Sequence, residues 1–371
     1  MKSPFCLLSI SLATTLLVGN ACTHHPANTH YVIQGELPDS TSHGKVIYLF
    51  DYNGERRIDS TTITGNCFRF EGEVDTTTLC RIDISRKEYA NLILEGGQII
   101  VYPNQERCNY PSGTPLNDEF SRIQAEEDSL GKLYRTKRKQ LKKSCASDEA
   151  FQQAWAMEEA EFMKVASRRC VELYSRHNDD PIGMVLICSL FMEACSLPLQ
   201  DSISQNFGPW LASTQWGSEF IAGIAGQKNT AEGMMFTDLS GHDMEGNKKN
   251  LSDYVGKGNY VLMDMWASWC GPCLSEIPHL AMLHERYGEK GLTVLGLFVA
   301  DEASHLKPIM EKEHIGWPQI IDTEQKAMST YGVDGIPHII LFAPDGIILK
   351  RGLRGQEMIE TIHEIMNQTK N

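Results

Sequence analysis

The chain lacks several features that assign proteins to common classes. Basic residues are in deficit, with 34 Lys and Arg against 48 Asp and Glu and a formal net charge of −14. Such a deficit argues against nucleic acid as a partner and against general adsorption to an anionic membrane. Beyond the N-terminal segment there is no apolar run of the roughly 20 residues that a transmembrane helix needs. What is present, 371 residues of which 42% are hydrophobic, suffices for two or three globular domains.

Patterns for metal and haem sites are missing as well. Two cysteines, Cys270 and Cys273, flank Gly271-Pro272, and this spacing also occurs in zinc sites. A structural zinc site needs a second Cys/His pair at ligand spacing, and none follows in the sequence. Haem attachment requires a histidine directly after the second cysteine, where this chain has Leu274. We therefore predict no metal and no bound cofactor; an inert, non-exchanging pair is the structural alternative.

The two cysteines lie where a predicted strand passes into a predicted helix. Residues 260–266 form an apolar, strand-like run, and the sequence after Cys273 has apolar residues at helical spacing. A cysteine at a helix N-terminus lies near free backbone N–H groups and the positive end of the helix dipole. Both stabilise a thiolate and lower its pKa. The pair therefore predicts thiol–disulfide exchange, which needs both a dithiol and a disulfide form.

The other cysteines do not form a disulfide framework. The chain has 11 cysteines, of which Cys6 and Cys22 belong to the N-terminal segment. Besides the Cys270–Cys273 pair an odd number is left, without framework spacing. These are Cys67, Cys80, Cys108, Cys145, Cys170, Cys188 and Cys195. The last two share an apolar helical pattern, which predicts that both are buried as small hydrophobic residues.

The stretch around the pair resembles thioredoxin well beyond the two cysteines. Asp264 precedes them where thioredoxin has a buried carboxylate, and Pro278 matches its helix-kinking proline. Gly335-Ile336-Pro337, followed by an apolar run, matches the loop that carries a cis-proline opposite the cysteines. Glu276 completes the Cys-x-x-Cys-x-x-Glu-x-Pro pattern of the membrane-tethered envelope branch, the ResA and TlpA type.

This resemblance, over about residues 235–369, implies a thioredoxin-like α/β domain and a thiol–disulfide oxidoreductase. Cys270 would be the nucleophile that forms a mixed disulfide with the substrate, and Cys273 the thiol that resolves it. Cys273 must lose a proton to do so, and Glu276 and Asp264 are the candidate bases. The alternative for Glu276 is an ordinary exposed helix residue.

The resemblance also implies partners and a direction. Trp269, Ile336 and Pro337 are the candidate contacts for a substrate peptide that carries a disulfide. In the family a Gly-Pro pair between the cysteines accompanies reductases, which predicts reduction of protein disulfides with electrons from a membrane thiol carrier. Reduction of apocytochrome c before haem attachment is one family role, and the sequence does not select it. The alternative from another class is a non-catalytic envelope binding protein that uses this domain for docking; the thiol reactivity of Cys270 discriminates the two.

The N-terminus predicts export. A basic residue followed by the apolar run Phe5–Val18 is typical of a signal peptide, which we assign to residues 1–21. Gly19-Asn20-Ala21 supplies small residues directly before Cys22. Plain cleavage there gives a soluble periplasmic protein. Lipidation of Cys22, with a polar tether over residues 22–30, gives a lipoprotein on the periplasmic side of the cell envelope, and we expect this second outcome.

Three regions follow the tether. Residues 31–112 contain β-branched or alternating runs separated by turns such as Gly96-Gly97, which predicts a β-rich domain, a small antiparallel sandwich or barrel. This region resembles an uncharacterised β domain often found ahead of thioredoxin-like domains in exported bacterial proteins, which implies architecture and no activity. Residues 113–226 have helical spacing and predict an α-helical middle region. A polar linker, residues 227–234, leads to the thioredoxin-like domain, residues 235–371.

Overall fold

The computed structural model describes residues 29–52, 56–85, 89–102 and 110–368. The predicted signal peptide, Cys22 and Cys108 lie outside these residues. Contacts divide the chain into two compact units, with the division after Asp128. Among the described residues, no helix combines the length and the apolar character that a bilayer span requires.

The first unit contains a β-sandwich. Its strands are β1 (His30–Glu36), β2 (Val46–Asp51), β3 (Arg57–Thr62), β4 (Cys67–Glu73), β5 (Thr78–Asp83), β6 (Tyr89–Leu94) and β7 (Gly97–Val101). One sheet has the order β4-β1-β7 and the other the order β3-β2-β5-β6. Ile33 and Phe70 from the first sheet and Ile47 and Ile82 from the second belong to one buried cluster. The two sheets therefore share a single core, as the alternating pattern predicted.

The sandwich differs from the purely antiparallel expectation at one edge. β1 pairs with β7 in parallel, with Tyr31 opposite Gly97 and Gly35 opposite Val101. The physical reason is the connection: the short link between β6 and β7 carries the chain from one sheet to the other, so β7 enters the first sheet in the direction of β1. Two strands have a weak signal in the sequence, since β3 is mostly polar and β6 contains Ala and Asn, which are depleted in strands.

A helical region follows along the chain. Its helices are α1 (Pro115–Ser144), α2 (Asp148–Tyr174), α3 (Pro181–Ile187), α4 (Leu190–Glu193), α5 (Leu197–Ser204), α6 (Pro209–Ser213) and α7 (Gln215–Asn229). Asp180 and Pro181 define the start of α3, because the Asp180 carboxylate accepts hydrogen bonds from two backbone N–H groups of the helix and Pro181 stands in its first turn. The side chain of Asn117, in the first turn of α1, is hydrogen-bonded to the backbone of Ile93. The start of α1 therefore belongs to the first unit.

One cysteine prediction in this region is wrong. Cys195 is buried as expected, whereas Cys188 is exposed. The helical pattern that placed both on one buried face does not continue, because α3 ends at Ile187 and Cys188 is its C-cap. A separate one-turn helix, α4, then begins after its N-cap, Ser189.

The C-terminal part of the second unit forms a seven-stranded sheet with helices on both faces. This is the thioredoxin-like α/β arrangement that was predicted. Its strands are β8 (Ser240–His242), β9 (Lys248–Asn250), β10 (Tyr260–Trp266), β11 (Leu292–Phe298), β12 (Gln319–Ile321), β13 (His338–Phe342) and β14 (Ile348–Leu353). Its helices are α8 (Gly271–Tyr287), α9 (Ala303–Glu313), α10 (Ala327–Tyr331) and α11 (Gly355–Gln368). The strand order is β14-β13-β10-β11-β12-β8-β9, with β10 parallel to β11 and antiparallel to β13.

Alternation along the central strand β10 decides which side chains face the helix that carries the cysteines. Leu262 and Trp266 pack in the same cluster as the buried residues of α8, α9 and α11. Val261 and Met263 belong to the cluster on the opposite face, with α10. Because strand side chains alternate with a period of two, Asp264 lies on the face of Leu262 and Trp266, towards α8.

The end of the helical region packs on the thioredoxin-like fold. α7 continues to Asn229, three residues into the stretch 227–234 that was predicted as a linker. A Cβ atom on Gly226 would lie 2.3 Å from the carbonyl oxygen of Ser329, so α7 and α10 approach at backbone distance. Tertiary packing therefore extends the helix where polar composition predicted a loop.

Candidate active site

The cysteine pair lies at the N-terminus of α8. Cys270 is the N-cap residue, Pro272 stands in the first turn, and the backbone N–H of Cys273 donates to Cys270 Sγ at 3.2 Å. The two cysteines form a disulfide with their Cα atoms 5.3 Å apart. Strand β10 ends at Trp266, so the strand-to-helix passage predicted from the sequence is confirmed. The sulfur of Cys270 lies among the N–H groups at the helix start, where a thiolate is stabilised after reduction.

Both cysteines are almost fully buried, whereas the neighbouring Trp269 is exposed. Cys270 is 4% exposed and Cys273 is fully buried, so Cys270 is the one nearer to solvent. Trp269, directly before Cys270, is 64% exposed. An exposed indole beside an otherwise buried disulfide offers an apolar surface to an incoming peptide.

The loop before β13 carries the predicted cis-proline. The Ile336–Pro337 peptide bond is cis, and the carbonyl oxygen of Ile336 lies 3.7 Å from Cys270 Sγ. Arg354 donates from Nη2 to the carbonyl oxygen of Pro337 at 2.6 Å. The fold therefore brings Ile336 and Pro337 next to Cys270, and the hydrogen bond from Arg354 fixes the loop.

Glu276 is held inside the site and is not an ordinary exposed helix residue. Its side chain is 12% exposed. Glu276 Oε2 accepts a hydrogen bond from the backbone N–H of Gly355 at 3.0 Å and lies 3.0 Å from Nδ1 of His279. These contacts fix the carboxylate between α8 and the start of α11, one turn beyond Cys273.

Asp264 lies on the α8 face of the sheet, close enough to Glu276 and Arg354 for both charges to act on it. It is 3% exposed, and within the described part of the chain its Oδ1 has no hydrogen-bond partner. Burial, and secondly the charge of Glu276, raise the pKa of Asp264 to about 8, while Arg354 acts in the opposite direction. A carboxyl group whose pKa lies near neutrality can both hold and accept a proton under physiological conditions.

A carboxylate that sequence reasoning missed holds the loop before the cysteines. Asp301 accepts hydrogen bonds from the backbone N–H of Ser268 at 2.7 Å and from its hydroxyl at 2.5 Å. Burial opposes ionisation of Asp301, but hydrogen bonds from Ser268 and His305 outweigh it and hold its pKa below the ordinary value. The indole of Trp269 donates to the carbonyl oxygen of Ala300 at 3.0 Å. The sequence signal for this contact was the position of Asp301 just after β11. Because the parallel strands β10 and β11 end at the same edge of the sheet, a residue after β11 lies near the loop after β10.

His338 follows the cis-proline and is half-buried. Burial, together with the charges of Arg351 and Arg354, lowers the pKa of His338 to about 4. The ring is therefore neutral above that pH and changes its protonation only in acid.

Arg351 connects the helical region to the rear of the cis-proline loop. Its Nη1 donates at 2.9 Å to both the carbonyl oxygen and the hydroxyl of Thr230, which follows α7. Its Nη2 donates to the carbonyl oxygen of Tyr331 at 2.5 Å and lies 3.4 Å from Nε2 of His338. One guanidinium thus joins α7, α10 and the start of β13 within a single compact unit.

The arrangement is suited to thiol–disulfide exchange. A disulfide at a helix N-terminus, a carboxyl group with a raised pKa and an adjacent cis-proline backbone lie within one site. Among the described residues, no group of three or more His, Cys, Asp or Glu side chains is arranged to hold a metal ion.

Comparison with known proteins gives two family matches. Residues 233–351 match the AhpC/TSA family, and residues 31–120 match a domain of unknown function, DUF4369. The first match covers both cysteines, Asp264, Glu276 and the cis-proline loop, and the second covers the sandwich and the start of α1.

Individual relatives of this chain are named thiol-disulfide oxidoreductases. The thiol-disulfide oxidoreductase ResA of Bacillus thuringiensis (strain Al Hakam) is 33% identical over 120 residues, which are 32% of this chain and 68% of that relative. The ResA of Bacillus subtilis (strain 168) is 28% identical over 151 residues, 41% of this chain and 83% of the relative. Among solved structures, the thioredoxin domain of a thiol-disulfide oxidoreductase from Bacteroides vulgatus is 31% identical, with 37% of this chain and 99% of that domain covered and a TM-score of 0.35.

Proposed function

Because this chain belongs to the family of ResA-type thiol-disulfide oxidoreductases, we propose that it reduces protein disulfides in the bacterial cell envelope through Cys270 and Cys273. The observation that carries this proposal is the Cys270–Cys273 disulfide at the start of α8, with the carbonyl of cis-bonded Ile336 beside Cys270. Electrons are carried by the two thiols themselves, so the reaction requires no bound cofactor.

The reaction starts from the dithiol form. The Cys270 thiolate attacks one sulfur of a substrate disulfide, forms a mixed disulfide and releases the other substrate sulfur as a thiolate that takes up a proton. Cys273 then loses its proton and attacks the Cys270 sulfur, which releases the second substrate thiol. The substrate gains two electrons and two protons, and the enzyme is left with the disulfide seen in the structure.

Two carboxyl groups serve the second step. Cys273 is fully buried and must be deprotonated to attack, so a base within the protein is needed. Asp264 is buried on the face of the sheet towards α8 with a pKa raised to about 8, and Glu276 is fixed one helical turn beyond Cys273. We propose that Asp264 accepts the Cys273 proton and that Glu276, by its charge, keeps the pKa of Asp264 in the working range.

The substrate peptide binds across the disulfide. Trp269 offers an exposed apolar face on one side, and the backbone at Ile336 and cis-bonded Pro337 lies on the other. An extended peptide hydrogen-bonded to this backbone would bring its own disulfide to Cys270. Recognition of this kind uses main-chain groups and accepts substrates of varied sequence.

The residues between the cysteines favour the reducing direction. Gly271 and Pro272 provide no additional hydrogen-bond donor to the Cys270 thiolate, unlike the histidine of strongly oxidising relatives. Without that extra stabilisation of the reduced form the disulfide is favoured, and the reduction potential is more negative.

We predict a potential near that of thioredoxin, roughly −270 mV, for the full-length protein. Titration in glutathione buffers, followed by the fluorescence of Trp266 and Trp269, measures it. A midpoint more positive than about −180 mV, the range of protein disulfide isomerase, would overturn the reductase direction and leave the exchange chemistry in place.

The envelope location is supported by the N-terminal sequence. The apolar run Phe5–Val18 and the small residues before Cys22 fit a secreted lipoprotein, with electrons supplied by a membrane thiol carrier. Fractionation of expressing cells tests this: we expect the wild type in the membrane fraction and the Cys22→Ser variant released or unprocessed. Wild type and variant both in the soluble periplasmic fraction would replace the lipid anchor with plain cleavage.

A further inference from the structure

The two long helices α1 and α2 form a hairpin with a groove between them. Lys137 Nζ of α1 lies 2.6 Å from the carboxylate of Glu158 on α2. One turn away, the ring of Tyr134 lies 4.2 Å from the ring of Phe162. As the residue number falls along α1 it rises along α2, so the two helices are antiparallel. All the residues that line the groove belong to the second unit.

The walls of the groove are apolar and open to solvent. The apolar side chains that line it lie at helical spacing, and they are Leu130, Leu133, Tyr134, Trp155, Phe162 and Val165. Leu133 is 54% exposed and Val165 is 45% exposed. The groove has a volume of about 170 Å³, the space of roughly six water molecules. Large apolar side chains that share one open groove mark an interaction surface.

Each helix brings one sign of charge to this surface. Lys137 lines the groove from α1, and Glu158 and Glu161 line it from α2. The pattern continues along the hairpin: residues 129–144 contain seven basic and no acidic residues, and residues 145–163 contain five acidic and no basic residues. An anionic lipid surface would attract the first helix and repel the second. The pattern therefore favours a partner that itself carries both signs.

We propose that the groove is a dimer interface, and that its occupant is the same hairpin of a second copy of this chain. A two-fold axis parallel to the helices places α1 of each copy antiparallel on α2 of the other, basic residues against acidic ones. The other way to face the two hairpins stacks α1 on α1 and α2 on α2, which brings like charges together. The charges thus select a bundle of four helices with antiparallel neighbours.

The register of the hairpin fits this arrangement. A two-fold axis along the helices leaves every residue at its own height. Because Lys137 and Glu158 already lie at one height within a copy, Lys137 of each copy comes opposite Glu158 of the other. By the same register, Leu130 comes opposite Val165. Apolar side chains therefore meet apolar ones at the open end of the groove, and opposite charges meet at its rim.

The size of the surface sets the expected affinity. Residues 129–144 of α1 span about 24 Å, and two helices side by side are about 20 Å wide. A symmetric pair of such faces buries on the order of 1,000 Å², near the lower limit for a specific interface. We therefore expect a reversible dimer with a dissociation constant on the order of 10 μM. The interface contains no residue of the proposed active site, so it goes beyond the proposed function and stands apart from it.

Sedimentation velocity of the full-length protein over a range of concentrations tests the dimer. Dithiothreitol is present so that exposed cysteines do not join copies. Val165→Glu is expected to weaken association by roughly 100-fold, because the interface buries the new charge twice and each burial costs about tenfold. Val171→Glu is the matched control: Val171 also lies on α2 and is 43% exposed, but it does not line the groove. This control should associate like the wild type.

Two charge reversals test the arrangement of the helices. Lys137→Glu and Glu161→Lys should each weaken the dimer by roughly tenfold, because like charges then face each other at both rims. An equimolar mixture of the two variants should associate as strongly as the wild type, since both rims of the mixed dimer pair opposite charges again.

Three results would overturn the inference. One is a wild type that stays monomeric up to about 20 times the expected dissociation constant. Another is a dimer that Val165→Glu and Leu133→Glu leave intact, which would place the interface elsewhere. The third is a monomer that binds phosphatidylglycerol vesicles through the groove and loses this binding in Leu133→Glu, which would assign the surface to a membrane.

Discussion

The full-length Cys270→Ser variant is expected to reduce insulin disulfides no faster than dithiothreitol alone, whereas the wild type accelerates the reaction. The physical reason is that a serine hydroxyl does not ionise near neutral pH, so the helix N-terminus has no thiolate to stabilise and no mixed disulfide forms. Turbidity of the precipitating insulin chains measures the rate.

Cys273→Ser provides the complementary result. Its Cys270 thiol can still attack, but nothing resolves the product, so a mixed disulfide with insulin should accumulate and be visible on a non-reducing gel. Cys67→Ser is the matched control, because it removes an exposed cysteine of the first unit and should leave the rate unchanged. Wild-type activity in Cys270→Ser would contradict the assignment of the nucleophile.

The test uses the full-length protein for a structural reason. A segment that begins at residue 235 omits Thr230, and with it the acceptors that bind Arg351 beside the cis-proline loop. It also omits α7, whose backbone approaches α10 at Gly226. If such a segment were inactive, a disrupted domain would explain the loss as well as a wrong mechanism would.

The sequence predicted those parts of the site that depend on local patterns. The strand-to-helix passage at Cys270 could be read from periodicity, since β10 and α8 each have a continuous apolar pattern. The cis bond before Pro337 is encoded by a short motif and was implied by resemblance. Local sequence was also sufficient for the start of α3 at Pro181, where the capping carboxylate is adjacent.

Other parts depend on contacts that no local pattern encodes. Asp301 binds Ser268 from the neighbouring strand end, and Arg354 reaches the carbonyl of Pro337 from beyond β14. The parallel pairing of β1 with β7 is set by a crossover between two sheets. Short elements such as β12 contain too few residues to show any periodicity. These features follow from tertiary packing, which overrides local preference.

Asp264→Asn is expected to stabilise the oxidised protein increasingly as the pH rises. Folding raises the pKa of Asp264 from the ordinary 3.8 to about 8, chiefly by burial. A raised pKa means that the folded state disfavours the charged form of Asp264. The contribution of Asp264 to the free energy of unfolding is therefore fully present below pH 3.8 and is lost as the pH rises towards 8. At pH 7 the loss is about 4 kcal/mol, and asparagine avoids it because it does not ionise.

Urea unfolding of both proteins at several pH values measures this difference. The pH-independent cost of the asparagine amide cancels in the comparison, so the advantage of the variant should grow by about 4 kcal/mol between pH 4 and pH 7. Glu276→Gln is the control within the site: it removes a charge that raises the pKa of Asp264, so the pH dependence should shift to lower pH. A constant difference between wild type and Asp264→Asn across this range would show that Asp264 ionises normally.

The same substitution should slow one catalytic step selectively. Attack by Cys270 precedes any need for a base, whereas release of the mixed disulfide requires a deprotonated Cys273. Asp264→Asn should therefore slow release by roughly 100-fold, the lower range for loss of a general base, and leave formation nearly unchanged. In the wild type, release should accelerate with pH and level off above about 8, as Asp264 becomes able to accept a proton. Stopped-flow traces in which both steps slow equally would point to an altered site and not to a lost base, because only the second step transfers the Cys273 proton.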